Sequence, residues 1–132
     1  MRTELLAYLT ANLTATIKPS NELPFLEGNI PLYNKNLRRV YLDEPNTEQD
    51  RLFGVLGAIG DNVYQRITTV RGFLSVDAKT RNADLDTALT TLGSAKDVAT
   101  ITAAFRREFD YTTTITDGVI TYEMQWRFYS IT

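Results

Sequence analysis

Folding this chain back on itself at Asp117-Gly118 brings two strands into a register that sorts side chains by polarity. Asp-Gly suits the two central positions of a type I′ turn, both of which need φ > 0. Ile115 then stands opposite Ile120, Thr113 opposite Tyr122, Tyr111 opposite Met124 and Phe109 opposite Trp126, giving one apolar face. The other face sets Thr114 against Thr121, Thr112 against Glu123 and Asp110 against Gln125, all polar. A slip of one residue would exchange the two faces along the whole strand, so the register is strongly specified. Arg127, Phe128, Tyr129, Ser130 and Ile131 carry the second strand beyond the paired region. The chain is thus expected to dock this end in a sheet or against a neighbour.

A length of 132 residues predicts a single domain, 1–132, with a core that needs no staples. The chain has no cysteine and no histidine. Disulfides, thiolate nucleophiles, iron–sulfur clusters, His- or Cys-bound zinc and a Ser-His-Asp triad therefore have no residues to build them. The usual general base near neutral pH is missing as well. Carboxylate–Mg²⁺ and lysine chemistry remain formally open, but no arrangement resembles an active site, and neither enzymatic activity nor a cofactor is expected. The net charge of −2 argues against a dedicated nucleic-acid binder. No apolar run reaches the 18 residues of a membrane span, and Arg2 and Glu4 do not open a signal peptide. A cytosolic product, or one assembled in a cytosol, is expected.

Residues 3–17 read as an amphipathic helix with Thr3 as N-cap and Leu5, Leu6, Leu9, Leu13 and Ile17 on one face. Lys18-Pro19 should end it. Residues 18–36 hold Pro19, Pro24, Pro31 and Gly28 and predict a long irregular connection, a length usually functional or mobile. Phe25, Leu26, Ile30, Leu32 and Tyr33 make it greasy. It suits either a strap across the domain's own core or an arm on a neighbouring subunit. Leu37–Leu42 suits a strand and Val63–Asp77 a long one, with Gly72 marking a bulge or a close backbone approach. Asn82 or Asp84 should open a helix carrying Leu85, Leu89 and Leu92 that stops at Gly93. Ser94–Asp97 resembles a capping box for a further helix with Val98, Ile101 and Phe105 on one face and Arg106 and Arg107 in its last turn. This order predicts an α+β fold, a mainly antiparallel sheet with helices packed on one face and a C-terminal β-hairpin.

The acidic stretch from Asp43 to Asp50, with Glu44 and Glu48 between, is the one cluster that mimics a metal site. It lacks the spacing of a calcium loop, and Pro45 interrupts it. A solvated loop, an electrostatic contact surface and a hard-cation site are the three readings. Gly54, Gly57 and Gly60 recur three apart without the strand–turn–helix setting of a dinucleotide fingerprint, so a strand edge or flexible turn is expected over 51–62. Arg38 and Arg39, as strand neighbours, should point to opposite faces and form no single patch. The aromatic face of the hairpin suits core packing better than base stacking.

From about residue 37 onward the chain resembles the tail terminator (tail completion) proteins of lambda-like long-tailed bacteriophages. The likeness rests on Val40-Tyr41-Leu42, Ile67-Thr68-Thr69-Val70 with Phe73-Leu74-Ser75-Val76, and Ala83-Asp84-Leu85-Asp86-Thr87-Ala88-Leu89. Phe109-Asp110-Tyr111 and the closing Val119-Ile120-Thr121-Tyr122-Glu123-Met124 complete it. Gln125–Thr132 and the apolar 18–36 segment depart from the pattern. The resemblance implies a hexameric ring in the virion neck, formed in the host cytoplasm, that stops polymerisation of the major tail tube protein. It also implies a docking surface for a head-completion protein, and a lumen through which DNA passes without specific binding. Phe25, Leu26, Ile30, Tyr33, Tyr129 and Ile131 are then the candidate subunit contacts. Asp43, Glu44, Glu48 and Asp50 are the candidate lumen or tube contacts. The alternatives are another ring of the neck, or a monomeric adaptor offering its acidic loop to a basic partner.

Overall fold

A computed structural model describes residues 1–14, 16–24, 26–27, 30–31, 37–54, 62–98 and 104–131. In chain order the elements are α1 (Arg2–Asn12), β1 (Lys18–Ser20), β2 (Leu26–Glu27), β3 (Ile30–Pro31), β4 (Arg39–Leu42) and β5 (Asn46–Gly54). They continue with β6 (Asn62–Val76), α2 (Asn82–Ser94), a 3₁₀ turn (Ala95–Asp97), β7 (Arg106–Thr116) and β8 (Val119–Ile131). The main sheet runs β1-β4-β6-β8-β7, and β5 also pairs with β6; β2 and β3 form a separate two-stranded ladder. Among the described residues the β1–β4 pairing alone is parallel. The expected α+β architecture is the one observed.

Strand geometry places the core. Successive side chains alternate between faces, so Val70, Gly72, Leu74 and Val76 of β6 share a side with Tyr122, Met124, Trp126 and Phe128 of β8. Leu5 and Leu9 of α1 and Ala88 and Leu92 of α2 cover that side, and Val40, Leu42 and Ile17 complete the buried cluster. At its centre the Trp126 indole Nε1 donates to the Leu92 carbonyl at 2.8 Å, which ties the sheet to the end of α2. The expectation for Gly72 resolves into close approach rather than a bulge, because it pairs regularly with Met124.

The hairpin adopts the register read from sequence, with Ile115 opposite Ile120 through to Phe109 opposite Trp126. Asp117 and Gly118 have φ of 52° and 76°. Its apolar face is buried along β8 from Trp126 through Met124 to Tyr122 but open along β7, where Tyr111 and Ile115 are 45% and 72% exposed. Residues beyond Trp126 are no extension. Arg127 to Ile131 pair with β6, and as far as Tyr129 with β7 as well.

Several expected boundaries are corrected. α1 ends at Asn12, not near residue 17, and its cap position is Met1 rather than Thr3. The Thr14 hydroxyl accepts the Ile17 N–H at 3.3 Å, a local turn that competes with helix, while Ile17 still reaches the core. Residues 18–36 are not wholly irregular, since β1, β2 and β3 lie within them. Asn46 to Gly54 is strand, drawn into extension by the long edge of β6. Gly57 and Gly60 lie outside the described residues.

Gly93 does not stop α2, which runs on to Ser94. Where the expected second helix would begin stands a 3₁₀ turn without a Ser94 side-chain cap, and Val98 is extended. Ile101 lies outside the described residues. Phe105 instead donates its N–H to the Tyr129 carbonyl at 2.9 Å, and Arg106 and Arg107 open β7. Tertiary pairing with β8 outweighs the local signal. The Arg107 guanidinium nevertheless reaches back to the Lys96 and Val98 carbonyls, both at 3.1 Å, so it serves the carbonyls of the turn from a strand.

Candidate functional site: a charged trough on the outer face

With both helices on one side, the other face of the sheet is built from the alternate residues of the same strands. Reading across β5, β6, β8 and β7, one row is Asn46, Thr69, Arg127 and Glu108. The next is Glu48, Ile67, Tyr129 and Arg106. Arg71, Gln125 and Asp110 form a third row across β6, β8 and β7. These three rows are largely polar and charged, whereas Tyr41 and Phe73, paired farther along the same face, are fully buried.

β4 and β5 follow the same flank of β6 almost as one strand. Leu42 pairs with Gly72 and Asn46 with Thr69, so the outer strand spends one residue more than β6 over this stretch. The surplus bulges out at Asp43–Pro45, as β-bulges do where a strand re-aims its side chains. Pro45, which has no N–H to donate, fits a place where the ladder is interrupted. The Asp43 N–H still reaches the Arg71 carbonyl at 2.8 Å, and the Asp43 carboxylate accepts the Glu44 N–H at 2.8 Å.

This bulge forms one wall of an open trough of about 600 Å³. Asp43, Glu44, Asn46 and Glu48 line it from the β4–β5 side as a rim, Ile67, Thr69 and Arg71 from β6, and Gln125, Arg127 and Tyr129 from β8. The guanidiniums are already engaged. Arg71 pairs with Glu123 at 2.7 Å and lies over the Phe73 ring at 5.1 Å from its centroid. Arg127 donates to Gln125 Oε1 at 2.6 Å and stands 3.7 Å from both Glu108 and Asp110. Arg106 bridges Glu108 at 2.8 Å and lies over the Tyr129 ring. Glu44 and Glu48, by contrast, are exposed and have no cation partner among the described residues.

The trough thus unites Asp43, Glu44 and Glu48 with Tyr129, four of the residues singled out from sequence. The acidic stretch is a loop only at Asp43–Pro45, which corrects the expectation of a loop through Asp50. Asp50 lies farther along β5, on the row it shares with Gln65 and Ile131. Ile131 is 58% exposed. Leu26 and Ile30 belong to the separate β2–β3 ladder, and Phe25 and Tyr33 lie outside the described residues. Sequence reasoning missed Ile67, Arg71, Gln125 and Arg127. Their signal is the alternate phase of β6 and β8, which becomes a site only once those two strands are paired.

Among the described residues no group of three or more Asp or Glu is placed to hold a metal ion. No helix among them is long and apolar enough to cross a membrane. The arrangement of unpaired carboxylates beside satisfied guanidiniums suits recognition of cationic groups. No protein-family model matches the chain, and no curated protein matches it significantly.

Proposed function

We propose that this chain is a tail-terminator-like structural subunit. It forms a homohexameric ring that caps the head-proximal end of a phage tail tube and offers a surface to a head-completion protein. The observation that carries the reading is the one-sided construction of the domain. Helices seal one face of the sheet, and the other presents a charged trough built on three long strands. The segments that bear the resemblance lie in β4, β6, α2 and the β7–β8 hairpin, which form a single packed unit. Closed rings need two different complementary patches on each subunit. A weakly acidic lining would let DNA pass without being held.

Negative-stain microscopy and native mass spectrometry of the concentrated protein test this reading. Sixfold rings with an open lumen are expected. A chain that stays monomeric at every concentration, and forms no ring on purified tail tubes, overturns it. The acidic rim favours one second reading, an adaptor that binds a basic partner as a monomer, and native mass separates the two.

A further inference from the structure

Among the described residues Glu44 and Glu48 of the trough rim have no cation partner, and Lys79 and Arg81 of the same chain have no acidic partner. After β6 the chain turns tightly through Asp77, Ala78, Lys79 and Thr80 into Arg81 at the start of α2. The Asp77 carboxylate is drawn inward. It accepts the Lys79 N–H at 3.1 Å and the Thr80 hydroxyl at 3.4 Å, and it pairs with Arg38 at 3.2 Å. Lys79 and Arg81 are exposed and have no acidic partner among the described residues.

The rim, carried by the Asp43–Pro45 bulge and β5, is paired to the same strand, β6, that leads into the turn. The trough spans Ile67 to Arg71 of β6, and the turn begins just past its end at Val76. At about 3.3 Å per residue, Arg71, the trough residue of β6 nearest the turn, lies about 17 Å from the strand end at Val76, and Lys79 stands in the turn beyond it. The turn of a subunit therefore cannot fill its own trough. Two unlike patches held apart on one subunit make a head-to-tail contact, the kind that closes rings.

We propose that the trough is the docking site for a second copy of this chain, with Lys79 and Arg81 of one subunit entering between Glu44 and Glu48 of the next. The inference rests on the ring reading and names its contact. Ile67 offers apolar surface to the aliphatic stem of a long cation, and the rim meets its charge.

Full-length double variants test the contact. E44K/E48K reverses the rim and K79E/R81E reverses the turn, all at exposed positions where the fold should persist, as circular dichroism would verify. In sedimentation velocity the unaltered protein self-associates, more tightly at low salt than at high salt. Each variant alone associates at least roughly tenfold more weakly, because attraction becomes repulsion. An equimolar mixture regains assembly, since a reversed rim then meets a reversed turn. If either variant assembles like the unaltered protein, or the mixture fails to assemble, the contact is wrong and the ring reading still stands. If the unaltered protein is monomeric at its solubility limit, the contact is also overturned, and the ring reading is then decided separately on tail tubes.

Discussion

Trp126 occupies the space that a side chain at residue 72 would fill. A Cβ placed on Gly72 would stand 2.7 Å from Cζ3 and 3.0 Å from Cη2 of the indole, closer than real Cβ contacts come. The indole is itself held by its bond to the Leu92 carbonyl, so it cannot swing aside without losing that partner. Gly72→Ala should therefore destabilise the fold by about 1–3 kcal/mol through overpacking. Urea unfolding of Gly72→Ala, Trp126→Phe and the double variant gives the check. The two changes should be non-additive, because phenylalanine lacks the clashing atoms.

The two strands of the hairpin's apolar face should respond differently to substitution. Met124→Ala removes a fully buried side chain from the core and should cost about 2–5 kcal/mol. Ile115→Thr, near the tip at 72% exposure, should stay within about 0.5 kcal/mol of the parent protein. Equal costs would mean that the tip is covered in solution, which a repeat at several protein concentrations would expose.

Gly118 has φ of 76°, and a Cβ there would meet no atom within 4 Å. The cost of Gly118→Ala is then backbone strain alone, about 1 kcal/mol. Asp117→Asn, which tolerates the same left-handed region, should be close to neutral. Thermal melts of both variants decide the point.

Stability should fall on the alkaline side. Burial, then the Tyr111 phenol and the Asp86 carboxylate nearby, raise the Tyr122 hydroxyl above its ordinary value of 10.0. A phenol that keeps its proton longer in the folded state adds stability that is fully present below pH 10 and is lost as pH rises toward the folded value. Tyr122→Phe should flatten this decline. Urea midpoints between pH 8 and pH 11 would show it, with an unchanged slope counting against the assignment.

The ion pairs of the outer face should contribute little to folding. Arg71 and Glu123 keep 21% and 30% of their side-chain surface in water, which screens the pair. Glu123→Gln should cost less than about 1 kcal/mol, and the difference should shrink in high salt. A large loss would show that this network is structural rather than available for contact.

The C-terminal hairpin was legible because its signals are local. Asp117-Gly118 names the turn, and polarity then fixes each pair. The α+β class followed from counting strands and helices, and the start of α2 at Asn82 from its flanking residues. The trough was not legible, because it depends on which strand lies beside which. Nothing in Glu48 or Tyr129 says that β5 and β8 flank the same β6, more than fifty residues from Tyr129 in the chain. The same non-local pairing explains the misread stretch around Phe105, Arg106 and Arg107. Their local pattern suits a helix end, and β8 offers them a ladder instead.

β6 has a further consequence, for biosynthesis. One flank of this central strand is closed by β4 and β5, which precede it, but the other waits for β8. Trp126 and Phe128, among the largest buried side chains, arrive with that last strand. While the polypeptide is still emerging from the ribosome, the sheet has an open seam and an incomplete interior. The interior is therefore complete only when β8 is available, and the hairpin, whose turn and pairing are local, brings β8 in to close the seam.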